Sequence, residues 1–203
     1  STHTPFNKYC KTCMACKSRR RRHARGKFKR VIEWFEDLIT GDHVHMDWMT
    51  TSINYCWTVL LLIDVATDFR QGLPQSNQRN WACKRALSAF FGSTRIKLFY
   101  GDRHAGVQSA LRDIDQHAEF SVPSDPQNNA ISESNVGIFK LGMKSVLHSG
   151  GFPHVFWPYG AVYFIFTENI RKRKKFGGKS PYRMRHGVDF QGELIPFGAS
   201  VFF

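Results

Sequence analysis

The pattern of apolar and polar residues predicts a series of short strands and helices between residues 41 and 169. The continuous apolar run at 55–67 is typical of a strand that is buried on both faces. Helical spacing of apolar residues predicts helices at 79–91, 107–117, 130–148 and 155–169. Shorter segments predict strands at 41–48, 69–73, 95–100 and 119–122, with a loop at 123–129. The order β-β-β-α-β-α-β-α-α predicts an α/β fold, a sheet layered with helices.

The composition indicates one folded domain with a small appendage. Of the 203 residues, 42% are hydrophobic and 18 are Phe, which is too apolar for a disordered basic tail. The longest apolar stretch, 155–167, is too short to span a bilayer and contains Pro158 and Gly160, which argues against a membrane protein. Five cysteines and no signal-peptide pattern argue against a secreted disulfide scaffold, so we expect an intracellular protein with reduced thiols. Because the chain does not begin with Met, we expect a piece of a longer polypeptide.

The positive charge is concentrated in two segments. Residues 1–30 carry 11 Lys and Arg and no acid, and residues 171–185 carry 8 and no acid, whereas residues 31–170 hold 10 basic and 14 acidic residues. Each basic run alone is as typical of a solvated loop or a nuclear-import signal as of a binding surface. Two such runs around an acidic body favour a nucleic-acid partner. Metal binding would explain an acidic centre in a DNA-binding protein.

Three acidic residues of the body have positions typical of a metal site. Asp47 and Asp102 end predicted strands, and Glu133 lies in the first turn of the helix predicted at 130–148. Carboxylates that converge at one sheet edge suit two Mg²⁺ or Mn²⁺ ions, which can clamp the attacking and leaving oxygens of a phosphodiester. The spacing alone leaves an ordinary structural role open, because Asp often ends strands and Glu is favoured at a helix N-terminus.

Motifs in a characteristic order link these acids to a known family. They are LIDVAT (62–67), YGD (100–102), PSDPQNNAISESN (123–135), FWPYGAV (156–162), SPYRMRHG (180–187) and PFGA (196–199). The combination resembles the integrases of retroviruses and LTR retrotransposons, which are encoded in a Pol polyprotein. The resemblance implies an RNase H-like mixed sheet flanked by helices. It also implies a transferase for metal-dependent DNA 3′-end processing and strand transfer, with an Asp-Asp-Glu site.

The resemblance assigns the first acid to Asp47, the second to Asp102 and the third to Glu133. Asp42 and Asp64 compete for the first position: Asp42 begins the predicted strand rather than ending it, and Asp64 matches an acid that the family keeps beside the site. Asp102 and Glu133 are separated by 30 residues, fewer than is usual in the family, and Ser134 replaces the usual Arg. Two alternatives therefore stay open: a DNA-binding remnant with an eroded site, and an RNase H-like nuclease.

DNA contacts are expected from the helix that carries Glu133 and from the second basic run. Lys140 and Lys144 follow Glu133 by 7 and 11 residues, which places all three on one helix face. In the family resembled here, a Lys seven residues after the Glu touches viral DNA; the alternative is that both lysines only solvate an amphipathic helix. The expected DNA-binding residues are Lys140, Lys144, Asn129, Arg171, Lys172, Arg173, Lys174 and Lys175.

The spacing of Cys10 and Cys13 is that of half a zinc site. The resemblance implies that residues 1–30 are the end of a zinc-binding N-terminal segment and a basic linker, whose paired His would lie upstream. His3 is either a substitute ligand or an ordinary surface His. Residues 31–170 would form the catalytic core, and 171–203 a basic loop and C-terminal extension. Double-stranded DNA as partner, a homo-oligomer and a nuclear location are implied as well.

Overall fold

A five-stranded mixed sheet with helices on both faces forms the body of the protein. The structure, a computed structural model, describes residues 4, 6–17, 31–46, 52–120 and 130–200. The strands are β1 (Ile39–His45), β2 (Thr58–Asp64), β3 (Arg70–Gln75), β4 (Phe99–Gly101) and β5 (Ala118–Phe120). The helices are α1 (Lys11–Lys17), α2 (Asn80–Phe91), α3 (Ala105–Asp113), α4 (Ala130–Gly150), α5 (Trp157–Ile170) and α6 (Pro181–His186). Single turns of 3₁₀-helix occur at His154–Phe156 and Lys174–Phe176.

The strands lie in the order β3-β2-β1-β4-β5. β1 pairs antiparallel with β2, which pairs antiparallel with β3. β4 pairs parallel with β1 and with β5, and Ile39 of β1 lies opposite Phe99 of β4. Parallel neighbours need a crossover connection, which α2 provides before β4 and α3 provides before β5. The carboxyl ends of β1 and β4 therefore meet at the same edge of the sheet.

β2 lies at the centre of the molecule, and every one of its residues is buried. Its side chains alternate between two cores: Val59, Leu61 and Ile63 face one, and Leu60 and Leu62 face the other. α4 and α5 supply the first core with Phe139, Met143, Val146, Trp157 and Phe164. α2 and α3 supply the second core with Cys83, Leu87, Phe90, Val107 and Leu111. The prediction of a strand buried on both faces is confirmed.

The predicted order of strands and helices in the body is also confirmed, and the α/β fold class with it. The boundaries differ by up to four residues; β1, for example, begins at Ile39 and ends at His45 rather than spanning 41–48. Two short helices, α1 and α6, were not predicted. α6 begins in the usual way for a helix, because the Ser180 hydroxyl accepts a hydrogen bond from the Arg183 N–H and Pro181 follows.

Arg185 attaches α6 to the body of the protein. Its guanidinium lies 4.4 Å from the ring centres of Phe35 and Phe69 and 5.0 Å from that of Phe90. It also donates a hydrogen bond to the Phe90 carbonyl. Guanidinium groups are attracted to aromatic faces, so three rings around one Arg hold α6 against the second core.

Candidate active site

Neighbouring parallel strands place Asp42 and Asp102 side by side. Gly41 of β1 lies opposite Gly101 of β4, and each Asp is the next residue along the chain. Neighbouring strands lie about 4.8 Å apart. A Cβ atom at position 101 would lie 2.7 Å from the Gly41 carbonyl oxygen, so the close approach of the two backbones requires glycine there. Asp42 is the fourth of seven residues in β1 and does not begin the strand, contrary to the sequence-based expectation.

Glu133 joins this pair of carboxylates from the first turn of α4. The pKa of Asp42 is raised to about 6, first by burial and then by the negative charge of Asp102, with Glu133 adding a smaller contribution. The His43 backbone N–H and the nearby His45 oppose this shift. The charges of Asp102 and Glu133 therefore both act on Asp42 at this edge of the sheet. Such a group repels itself in the absence of a cation.

Asp47, the acid assigned first by resemblance, lies outside the described residues, as does Asn129. Its assignment stays a prediction. Asp42, the competing residue, lies beside Asp102 on the neighbouring strand. Asp102 and Glu133 lie where the sequence places them, at the end of β4 and in the first turn of α4.

Asp64, the other competitor, has a structural role. One carboxylate oxygen accepts hydrogen bonds from the Thr67 N–H at 2.7 Å and from the Thr67 hydroxyl at 2.6 Å. The other oxygen accepts a bond from the Glu36 N–H at 3.3 Å. The side chain is fully buried, and burial raises its pKa while the bonds from Thr67 lower it. The LIDVAT motif therefore spans the end of β2 and the turn that follows it, and Asp64 holds that turn in place.

A group of histidines borders the two aspartates and was given no role by the sequence. His43, His45 and His104 line a cleft of about 240 Å³ together with Asp42 and Asp102. Burial, followed by repulsion from His104 and His45, lowers the pKa of His43 to about 4. Burial, followed by the nearby His45, also lowers the pKa of His104. Both rings are therefore neutral at physiological pH.

Lys140 and Lys144 lie on the exposed side of α4, as the helical spacing predicts. Both are half-buried, and Glu133 on the same face is exposed. The opposite face carries Phe139, Met143 and Val146 into the first core. One face of α4 therefore carries Glu133 near the aspartates and, further along the helix, Lys140 and Lys144.

Acids of the same chain pair with three of the five cations in the second basic run, whose DNA contacts stay a prediction. Arg171 and Arg173 bind the buried Glu168 carboxylate at 2.9 and 3.0 Å. Lys175 forms an ion pair with Asp68. Burial opposes ionisation of Glu168, but the neighbouring arginines outweigh it and its pKa is lowered. Lys172 and Lys174 are exposed and point to a smaller cationic surface than the run suggests.

The N-terminal cysteines lie at α1, which packs against α4. Cys13 is buried, Cys10 and Cys16 are partly exposed, and Thr12 lies in hydrogen-bond contact with His148 of α4. Hydrogen bonds from Cys13, partly offset by burial, lower the pKa of Cys10. Within the described ranges, the group of three potential metal ligands is His43, Cys83 and His104, and it contains neither Cys10 nor Cys13. Zinc at the CxxC stays a prediction, and the basic linker 18–30 lies outside the described part of the chain.

Comparison with solved structures identifies the fold as that of an integrase catalytic core. One similar structure is the intasome of simian T-cell lymphotropic virus in complex with a PP2A regulatory subunit. The alignment covers 95% of this chain and 67% of the matched chain, with a TM-score of 0.61 and 14% sequence identity. A second similar structure is the catalytic core domain of BIV integrase. The alignment covers 73% of this chain and 93% of the matched chain, with a TM-score of 0.52 and 12% sequence identity. No family model and no curated protein matches the sequence.

The chain thus has an integrase-like α/β fold with Asp42 and Asp102 side by side on neighbouring strands, and its identity to these two structures is 14% and 12%. In the described ranges, no helix combines the length and apolarity that a membrane span needs.

Proposed function

We propose that this protein is an integrase that carries out metal-dependent DNA 3′-end processing and strand transfer, with Asp42, Asp102 and Glu133 as its catalytic acids. The observation that carries the proposal is the register of β1 and β4, which puts Asp42 beside Asp102 within reach of Glu133. The integrase-like fold supports the same reaction class, because both similar structures come from integrase proteins. Asp42 replaces Asp47 in the first position.

The chemistry of the three acids fits divalent metal ions. Carboxylate oxygens are hard ligands that Mg²⁺ and Mn²⁺ prefer. Burial and then the repulsion from Asp102 raise the pKa of Asp42, and a bound cation would relieve that repulsion. Bound there, two such ions would activate the attacking oxygen and stabilise the leaving one. Asp42 and Asp102 would hold them from the rigid sheet, and Glu133 would close the site from the start of α4. Water attacks in end processing and a DNA 3′-hydroxyl attacks in joining, with no covalent enzyme intermediate.

The DNA would follow α4 and reach the exposed cations beyond it. Lys140 and Lys144 share the face of Glu133, so phosphates held near the carboxylates would meet both ammonium groups. Lys172 and Lys174 are the residues of the second basic run that we retain as DNA contacts. The other three cations of this run would mainly hold the loop in place. Arg171 and Arg173 do so through Glu168, and Lys175 does so through Asp68.

The remaining implications of the proposal concern organisation and location. An integrase would act as a homo-oligomer on double-stranded DNA, and a retrotransposon element would encode it within a Pol polyprotein. Residues 1–30 would complete a zinc-binding segment and a basic linker, 31–170 would form the catalytic core and 171–203 its extension. Integration into chromosomal DNA would require entry to the nucleus.

Strand transfer on a labelled DNA duplex with Mg²⁺ or Mn²⁺ tests the proposal. We expect joined products that depend on the metal, and their loss in Asp42→Asn, Asp102→Asn and Glu133→Gln proteins. Asp47→Asn is the matched variant, since it removes the same charge from the competing acid. We expect it to retain activity.

Each outcome of the assay has a clear meaning. Loss of joining in Asp47→Asn with activity kept in Asp42→Asn would return the first position to Asp47. Cleavage without joining would indicate an RNase H-like nuclease. DNA binding without metal-dependent chemistry in the parent protein would indicate a non-catalytic remnant and overturn the proposal.

A further inference from the structure

A second group of potential metal ligands lies beside Asp42, and two of its members line the same cleft as Asp42 and Asp102. The ligand atoms of His43, Cys83 and His104 lie within 4.8 Å of one another. Successive residues of a strand face opposite sides of the sheet, so His43 faces α2, where Cys83 lies, while Asp42 faces α4. His104 is the residue immediately before α3. Three separate elements therefore converge on this group.

The separations suit a tetrahedral ion. The Cys83 Sγ lies 3.7 Å from the His43 Nε2. Zinc with a Zn–S distance of about 2.3 Å and Zn–N distances of about 2.0–2.1 Å places sulfur and nitrogen ligands roughly 3.6 Å apart. The His43 and His104 rings also lie close, with 4.4 Å between their centres. The most distant ligand atoms would have to approach by roughly 1.5 Å at most, which side-chain rotation can supply.

Gln78 holds His104 in the form that a metal ligand needs. Its amide oxygen lies 3.1 Å from the His104 Nε2, and because an amide oxygen only accepts, that nitrogen carries the hydrogen. The other nitrogen, Nδ1, then has a lone pair; it is buried and has no hydrogen-bond partner among the described residues. The Gln78 amide nitrogen meanwhile lies 3.2 Å from the His45 Nε2 and donates to it. A buried lone pair without a donor is unfavourable unless something binds it.

The first turn of α3 approaches this group closely enough to fix its shape. A Cβ atom at Gly106 would lie 2.1 Å from the Gln78 carbonyl oxygen and 3.3 Å from the Cys83 Sγ. Only glycine permits this approach, so Gln78, Cys83 and the start of α3 are packed together around the ligand atoms. The group is therefore part of the folded body rather than a chance contact of surface side chains.

We propose that His43, Cys83 and His104 bind one zinc ion whose fourth position is open to water. Two imidazoles and a thiolate suit zinc, whereas the carboxylates on the other side of β1 suit Mg²⁺ or Mn²⁺. As the sulfur–zinc bond forms, the Cys83 thiol loses its proton to solvent. The ion would tie β1 to α2 and to the segment after β4, next to Asp42 and Asp102. Zinc binding itself does not depend on the proposed integrase activity.

Zinc content and cobalt spectroscopy of the full chain test this site. Cys10, Cys13 and Cys16 are first changed to Ser, so that zinc predicted at the CxxC cannot contribute to the count. After dialysis we expect one equivalent of zinc per chain in this background, and its loss in Cys83→Ser and in His104→Gln. Cys56→Ser is the matched control, because Cys56 is also a buried free thiol but lies outside the group. Gln78→Ala, which removes a positioning residue, should weaken the zinc Kd by about 10- to 100-fold.

Substitution by Co²⁺ identifies the ligands independently of stability. A bound cobalt should show a sulfur-to-metal charge-transfer band that Cys56→Ser keeps and Cys83→Ser loses. His104→Gln alters a half-buried residue outside the helices, so it decides the question even if Cys83→Ser does not fold. No retained zinc in the background protein, or an unchanged equivalent in His104→Gln, would overturn the proposal. Neither result would affect the test of Asp42, which measures DNA joining.

Discussion

Replacement of Asp42 by Asn should stabilise the metal-free protein at neutral pH. The folded-state pKa of Asp42 is about 6, against 3.8 for the free side chain, because burial and the charge of Asp102 disfavour the anion. One pKa unit corresponds to about 1.4 kcal/mol, so the ionised carboxylate costs about 3 kcal/mol at pH 8. Asn removes the charge but keeps the shape of the side chain. We expect the free energy of unfolding to rise by about 1–3 kcal/mol at pH 8, allowing for imperfect replacement.

The pH dependence gives the sign of the effect. A raised pKa means that the folded state binds the proton more tightly than the unfolded chain does. The penalty is therefore absent below about pH 4, grows between about pH 4 and 6, and is complete above pH 6. The gain from Asp42→Asn should follow the same course and vanish near pH 4. Urea unfolding in EDTA, followed by tryptophan fluorescence from pH 4 to 8, measures it.

Asp115→Asn is the control, because Asp115 is exposed and pairs only at the surface with Arg95. Its effect should stay within about 0.5 kcal/mol at every pH. Mg²⁺ added at pH 8 should stabilise the parent protein and not Asp42→Asn, because the cation relieves the repulsion that the substitution removes. A stability difference between parent and Asp42→Asn that is constant from pH 4 to 8 would refute this reasoning.

Three further predictions concern the charged residues around the site. Glu168→Gln should lower the free energy of unfolding by about 3 kcal/mol in urea titrations at pH 7, because it removes a buried charge that holds two partly buried arginines; a loss under 0.5 kcal/mol would contradict this. Changing Lys172 and Lys174 to Ser should reduce the slope of log K against log salt by up to about 2 in DNA-binding titrations, and an unchanged slope would remove both as phosphate contacts. Lys140→Glu should weaken DNA binding and joining while the free energy of unfolding changes by about 0.5 kcal/mol or less. Full DNA affinity in this variant would mean that Lys140 only solvates the helix.

The local periodicity of the chain was sufficient to predict most elements of the fold. β2 was predicted from its continuous apolar run, and the face of α4 that carries Glu133 and Lys140 followed from the helical repeat. Both features depend on residues close in sequence. The position of Asp42 beside Asp102 depends instead on the register of β1 against β4, which joins residues about 60 positions apart in the chain. Local pattern does not contain that information.

The second basic run shows the same limit for charge. A run of five cations suggests a polyanion partner, and Glu168 was visible three residues before Arg171 as a helical ion pair. Asp68, which pairs with Lys175, lies in a turn more than 100 residues away and could not be associated with the run from sequence. The electrostatic character of a run is therefore set by the acids that the fold brings to it.

Side chains alternate between the two faces of the sheet along β1, so two consecutive residues of this strand belong to two different proposed metal sites. Asp42 faces α4 and shares its surroundings with carboxylates, whereas His43 faces α2 and lies beside a thiol and an imidazole. Oxygen ligands favour Mg²⁺ or Mn²⁺, and nitrogen and sulfur ligands favour zinc, so the two proposed sites would not compete for the same ion. A one-residue shift of β1 would exchange the two faces and destroy both sites. The glycines that lock β1 against β4 therefore protect the chemistry on both sides of the strand.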